Sequence, residues 1–179
     1  PSVPKRVFFG VKACDAAALA VQDRFFAEDS YYQARRQAAL VVAVDCRHPC
    51  ATGFCPLTHS GPCVREGADI VLTPAPHGWY LQVATEQGQT ALAGLSLAAS
   101  DDMTVNQHRQ ATEQQCLAEF ADLSTLATGM SRLQAGQVTA QEWEMLAVQC
   151  LSCSGCVNLC PTCSCFTTFD VTHTDKTVV

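Results

Sequence analysis

The stretch of sequence that decides the fold starts with KRVFFGVK at residues 5–12 and closes with ALVVAVD at residues 39–45. Both runs are rich in apolar, β-branched or aromatic residues and predict buried strands. Between them, residues 16–26 are rich in alanine and predict a helix with Asp15 as its N-cap. A strand, a helix and a second strand within about 40 residues are typical of a right-handed, parallel βαβ unit.

Cysteines follow both of these predicted strands. Cys14 comes shortly after the first strand, and Cys46 comes directly after the second. Ligand sites in open α/β sheets gather at the carboxyl ends of parallel strands. The long loop that begins at Cys46 carries three further cysteines: Cys50, Cys55 and Cys63. A loop of this length needs something to order it, so we expect three of these strand-end and loop cysteines to converge on one metal cluster. Asp15 is a candidate oxygen ligand, and a zinc site or unrelated free thiols are the alternatives.

The remaining chain shows two more strand patterns and several helical ones. The strands are predicted at residues 69–74 and 79–85, around a Pro-Ala-Pro-His-Gly turn. The helices are predicted at residues 89–98, 104–126 and 139–149, with Gly129 and Gly136 as breaks after the second. Cys116 lies on an apolar face of the second helix and is interpreted as a core residue.

These patterns predict an α/β fold with three parts. Residues 1–100 form an N-terminal α/β domain with a partly parallel sheet and a cysteine-rich loop, and residues 101–138 form a helical connector. Residues 139–179 form a partial ferredoxin-like iron–sulfur module, which includes the densest group of cysteines.

That group follows the pattern C-x2-C-x2-C-x3-C-P without deviation. Its ligand candidates are Cys150, Cys153, Cys156 and Cys160, and Pro161 follows the last of them. The pattern is typical of bacterial ferredoxins that hold a 4Fe-4S cluster, because three closely spaced thiolates can wrap around three corners of a cubane. A four-cysteine zinc site is the alternative, although such sites normally use two separated cysteine pairs.

A two-cluster ferredoxin domain requires a second run of this kind, and none follows residue 165. The fourth cysteine of such a run usually ligates the other cluster. Cys163 and Cys165 do not have the spacing of the missing ligand. Since the chain also begins at Pro1, we expect it to be a piece of a longer protein.

Composition excludes several classes of protein. The chain has 179 residues, 48% of them apolar and 16% charged, which excludes wholesale disorder. Its net charge of −6 with 11 basic side chains is unlike that of a nucleic-acid-binding protein. No apolar run reaches the roughly 18 residues of a membrane span. No secretory leader is visible, so we expect a cytoplasmic protein, in which the 12 cysteines hold metal more readily than they form disulfides.

Catalytic fingerprints are absent from the sequence: it has no dinucleotide-binding glycine pattern, no P-loop and no nucleophile elbow. We therefore expect no site in this chain that transforms a substrate. A thiol redox enzyme is disfavoured because no C-x-x-C pair lies in a thioredoxin-like context.

Several runs of this sequence together resemble one family of iron–sulfur electron-transfer subunits. They are FGVKACDAAALAVQDRFF, YYQARRQAALVVAVDC, GADIVLT and CLSCSGCVNLCPTCSCF. The family comprises the beta subunit of cytoplasmic nickel–iron sulfhydrogenases and the iron–sulfur electron-transfer subunit of anaerobic sulfite reductase. Its members are larger, and they pair an N-terminal α/β domain with a two-cluster ferredoxin domain.

The resemblance implies a function and a set of ligands. It implies single-electron relay between a flavin-containing, NAD(P)H-oxidising subunit and a catalytic hydrogenase or sulfite reductase subunit. The residues that match its cysteines are Cys14, Cys46 and Cys55 in the N-terminal domain and Cys150, Cys153, Cys156 and Cys160 in the first ferredoxin motif. Where the family often has Cys-Phe-Cys, this chain has Gly53 before Phe54 and Cys55. The fourth N-terminal ligand therefore stays open among Cys50, Cys63 and Asp15. The alternative function is a zinc-stabilised interaction module.

Overall fold

The structure is a computed structural model that describes residues 3–164 and residue 174. The chain divides into two compact units, Pro1–Thr139 and Ala140–Val179. Cys165 and most of the C-terminal tail lie outside the described residues. Among the residues described, no helix combines the length and the apolar character needed to cross a membrane.

In the described part of the chain, the first unit contains one mixed sheet of four strands in sequential order. They are β1 (Arg6–Lys12), β2 (Ala39–Val44), β3 (Ile70–Ala75) and β4 (Gly78–Val83). β1 pairs parallel with β2, β2 pairs parallel with β3, and β4 returns antiparallel to β3. The predicted α/β class with a partly parallel sheet is therefore confirmed.

Two helices connect β1 to β2 and complete the βαβ unit. They are α1 (Ala13–Phe25) and α2 (Ser30–Gln37). The prediction that Asp15 caps the first helix is wrong, because α1 begins at Ala13 and Lys12 occupies the cap position. Asp15 lies instead in the first turn, where a carboxylate is favoured by the positive end of the helix dipole.

The core of the first unit forms between α1, β2, β3 and the loop that follows β2. Its buried members are small or β-branched: Ala13, Ala16, Val41, Ala43, Val64, Ala68 and Val71. The prediction of a buried β1 is wrong, since Phe9 is 75% exposed and Val7 is 63% exposed. The reason is the sheet order, which makes β1 an edge strand that pairs with β2 along one side.

Glycine is required at two places that shape this unit. Gly10 has a φ of 80° at a shift in the β1–β2 register between Phe9 and Val11, so the strand bulges just before it reaches α1. Gly67 has a φ of 82°, and an added Cβ would lie 1.9 Å from the carbonyl oxygen of Ala16. The loop backbone therefore packs directly on the backbone of α1.

Three further helices complete the first unit: α3 (Glu86–Leu92), α4 (Asp102–Ala118) and α5 (Ser124–Gln134). α3 begins earlier than predicted because Thr85 caps it, accepting a hydrogen bond from the Gly88 amide at 3.1 Å. α4 ends before its predicted boundary, and Gly129 lies inside α5 rather than at a break. Glycine inside a helix costs only about 1 kcal/mol relative to alanine, which tertiary structure can offset.

The second unit contains α6 (Ala140–Gln149), which ends next to the first cysteine of the dense run, and the short α7 (Gly155–Leu159) within that run. The helix predicted at residues 139–149 is thus confirmed within one residue. The ferredoxin-like character of this unit stays a prediction.

Candidate metal centre

The first group of cysteines lies at the carboxyl ends of two adjacent parallel strands. Cys14 is the second residue of α1, immediately after β1, and Cys46 follows β2 by two residues. The Cys46 amide donates a hydrogen bond to the carbonyl oxygen of Pro62 at 3.0 Å. This bond ties the start of the cysteine loop to its end, so the loop returns to the strand edge from which it left.

Cys55 is held close to the start of α1 by the turn that follows it. Its carbonyl oxygen accepts hydrogen bonds from the Ser60 amide at 3.1 Å and from the Thr58 hydroxyl at 3.2 Å. A Cβ added to Gly61 would lie 3.1 Å from the Cys55 sulfur and 3.4 Å from the Ala13 Cβ. Gly61 therefore allows Cys55 to approach the helix turn that contains Cys14.

The thiols of this region act on one another electrostatically. Desolvation raises the pKa of Cys14, and Asp15 and Cys46 raise it further. Desolvation also raises the pKa of Cys55 to about 11, with added contributions from Cys14, Cys46 and Cys50. For Cys46, desolvation raises the pKa most, and Lys12 partly offsets it. The group therefore favours protonated thiols, and a metal ion that binds them must displace their protons.

Cys63 lies in a different environment from Cys14, Cys46, Cys50 and Cys55. It is 1% exposed. Desolvation raises its pKa to about 12, followed by the carboxylates of Asp45 and Glu113, while Arg109 opposes them. Its strongest electrostatic neighbours are thus charged side chains and not the other thiols.

Cys116 interacts electrostatically with cysteines at this edge, which the sequence analysis did not predict. It is fully buried on α4, as expected of a core residue. Desolvation raises the pKa of Cys116 to about 11, and the next largest contributions that raise it come from Cys46 and Cys55. The sequence carries no signal for this proximity, because it depends on how α4 docks against the loop.

The second group of cysteines lies in the second unit, and all four members are exposed free thiols: Cys150, Cys153, Cys156 and Cys160. Ser152 and Ser154 have φ values of 54° and 59°, so the backbone coils tightly between the first cysteines of the run. The Cys160 amide donates to the Cys156 carbonyl oxygen at 3.1 Å, which places these two cysteines one helical turn apart.

One of these thiols has a local partner. The Cys160 sulfur lies 3.1 Å from the Thr162 hydroxyl oxygen, and this hydrogen bond lowers the pKa of Cys160. The thiolate form that binds metal is therefore more readily formed here than at a cysteine without this hydrogen bond.

The chemistry of both donor sets fits a thiophilic metal or an iron–sulfur cluster, because each offers at least four cysteine sulfurs within a short span or on one sheet edge. Among the residues that the structure describes, no three side chains of His, Cys, Asp or Glu already form a group arranged to hold a metal ion. The cysteine side chains would have to turn toward a common centre on binding.

Comparison with curated proteins shows a similarity to sulfhydrogenase 2 subunit beta from Pyrococcus furiosus. The two chains are 29% identical over 170 residues, which is 93% of this chain and 50% of that protein. The chain thus spans about half the length of the curated relative it matches. No family model matches the chain, and no solved structure does. The similarity supports the resemblance to sulfhydrogenase beta subunits that the sequence motifs suggest.

Proposed function

We propose that this chain is an iron–sulfur electron-transfer component of an oxidoreductase complex of the hydrogenase type. It relays single electrons between a flavin-containing, NAD(P)H-oxidising subunit and a catalytic redox subunit. The observation that carries the proposal is the C-x2-C-x2-C-x3-C-P run, whose four thiols are exposed in one short segment. The similarity to a sulfhydrogenase beta subunit supports the same conclusion.

Under this proposal the two groups of cysteines have separate roles. In the partial ferredoxin-like module of residues 139–179, the cluster ligands are Cys150, Cys153, Cys156 and Cys160, of which Cys160 has the position that serves the second cluster in two-cluster ferredoxins. In the α/β domain of residues 1–100, three strand-end and loop cysteines are ligands of a further cluster: Cys14, Cys46 and Cys55. A bound 4Fe-4S cluster supplies reversible one-electron transfer.

The chain itself supplies the environment in which such transfer can be tuned. Left-handed backbone at Ser152 and Ser154 lets the cysteine run coil within a few residues. The Thr162 hydroxyl favours the thiolate of Cys160. At the strand edge, desolvation and neighbouring thiols disfavour uncompensated negative charge, so a bound cation there relieves an unfavourable interaction. Hydrogen bonds and solvent exposure of this kind set the reduction potential of a cluster.

The test is purification without air, followed by substitution within the dense run. The protein should be brown, and its broad visible absorbance should bleach on addition of dithionite. Cys153→Ser should remove about one cluster's share of the iron. Cys163→Ser is the matched control, because it makes the same change three residues beyond the run and should leave the iron content intact.

Two results would count against the proposal. Unchanged iron in the Cys153→Ser variant would contradict the assignment of ligands. A colourless protein that contains zinc would contradict electron relay and would support a zinc-stabilised interaction module, which uses the same thiolates.

A further inference from the structure

The C-terminal turn of α4 packs against the cysteine loop of the first unit. A Cβ added to Gly53 would lie 3.3 Å from the Cε1 atom of Phe120, which follows the end of α4. The Nδ1 atom of His48 lies 2.7 Å from a carboxylate oxygen of Glu119. Two separate points of the loop, at residues 48 and 53, therefore contact this turn.

Cys116 lies on the side of α4 that faces these contacts. Residues three and four positions apart share one face of a helix, and Glu119 and Phe120 follow Cys116 by three and four positions. The Glu119 amide donates to the Cys116 carbonyl oxygen at 3.2 Å, so the turn continues through these residues. Cys116 therefore lies one turn before the two residues by which α4 contacts the loop that carries Cys50 and Cys55.

Cys116 differs in exposure from the other thiols at this edge and interacts with them electrostatically. Cys116 has no solvent exposure, whereas Cys50 is exposed. The thiols that act on Cys116 electrostatically are Cys46, Cys55 and Cys50, in decreasing order. Two of them, Cys46 and Cys55, are also the neighbours of Cys14.

We propose that Cys116 supplies the fourth thiolate of the N-terminal cluster, beside Cys14, Cys46 and Cys55. This inference rests on the proposed function. On binding, the S–H bond of Cys116 is replaced by a sulfur–iron bond, and the proton leaves to solvent. The ligand comes from a helix whose position is fixed by packing, which holds a coordination site more precisely than an exposed loop does.

The structure also bears on the other candidates for the fourth ligand. Cys63 is buried, and the side chains with the largest electrostatic effect on it are Asp45, Glu113 and Arg109. Asp15 acts on Cys14 as a neighbouring negative charge. Cys50 is the strongest competitor, because it lies in the same loop and acts on Cys46, Cys55 and Cys116.

The first experiment compares variants of the whole chain, prepared anaerobically. Cys116→Ala should lower the iron and acid-labile sulfide per chain by the content of one cluster. Cys116→Ser should shift the iron–sulfur stretching bands in resonance Raman spectra, because an oxygen ligand replaces a sulfur. Thr112→Ser is the matched control: it trims a buried side chain on the same face of α4, one turn earlier, and should leave iron and spectrum unchanged. Wild-type iron and an unshifted spectrum in both Cys116 variants would overturn the inference.

The second experiment needs no variant, and circular dichroism first establishes that the metal-free protein is folded. Iron-loaded and metal-free wild-type protein are treated with iodoacetamide, and alkylation of each cysteine is followed by peptide mass spectrometry. Cys50 should react equally fast in both forms if Cys116 is the fourth ligand. Protection of Cys50 on loading would overturn the inference. Absence of iron from every preparation would instead contradict the proposed function, so the two failures are distinguishable.

Discussion

The guanidinium of Arg109 on α4 lies 2.8 Å from the buried carboxylate of Asp45, at the end of β2. The same carboxylate accepts hydrogen bonds from the Val64 amide at 2.7 Å and the Thr73 hydroxyl at 2.6 Å. Arg109 also donates to the carbonyl oxygen of Val64. The buried carboxylate of Asp45, which immediately precedes Cys46, therefore joins α4, β3 and the end of the cysteine loop.

We predict that Arg109→Met lowers the free energy of unfolding by about 3 kcal/mol, because it leaves the Asp45 carboxylate buried without its counter-ion. Arg24→Met is the control, since its ion pair with Glu66 is exposed at both ends and should contribute at most about 1 kcal/mol. Denaturant unfolding of the metal-free protein measures both. Equal losses in the two variants would show that the Asp45 pair does not hold α4 on the sheet.

Gly67 permits the close approach of the loop to α1, and we predict that Gly67→Ala is strongly destabilising. The added Cβ would lie 1.9 Å from the Ala16 carbonyl oxygen, so the backbone must move. Gly136→Ala is the matched control, because Gly136 also has a positive φ, of 64°, but has nothing within 4 Å of the added atom. The control should cost about 1–2 kcal/mol from backbone strain alone, and Gly67→Ala should cost at least twice as much. Similar midpoints of unfolding would contradict the close packing.

The buried thiol of Cys63 predicts a pH dependence of stability in the metal-free protein. Its pKa is about 12 in the folded chain, against 9.0 for an ordinary cysteine. The folded state therefore keeps the proton while the unfolded state releases it above pH 9. The contribution of the Cys63 thiol to the free energy of unfolding is therefore complete below pH 9 and is lost as the pH rises above it.

Cys63→Ser removes this ionisable group, so the decline in stability above pH 9 should be shallower in the variant than in the wild type. The difference between the two curves isolates Cys63 from other groups with raised pKa values, such as Cys55 and Cys116. Unfolding free energies of both proteins, measured between pH 8 and 11, test this difference. Parallel curves would show that the thiol is not buried as described.

The part of the fold that the sequence predicts is the part that depends on local patterns. Apolar runs predict β1 and β2, and their parallel pairing places Cys14 and Cys46 past adjacent strand ends. The exposure of β1 depends on the sheet order, which no local pattern contains. The pairing of Arg109 with Asp45 spans 64 positions in the chain, and the approach of Cys116 to the loop depends on that docking. Whether either cysteine group holds a metal stays a prediction.

The inorganic content of the protein tests the proposed electron relay most directly. We predict that protein purified without air contains both iron and acid-labile sulfide, and that its visible absorbance bleaches with dithionite. Iron and sulfide in comparable amounts would agree with cubane clusters held by these thiolates. Protein with neither iron nor acid-labile sulfide would contradict the account.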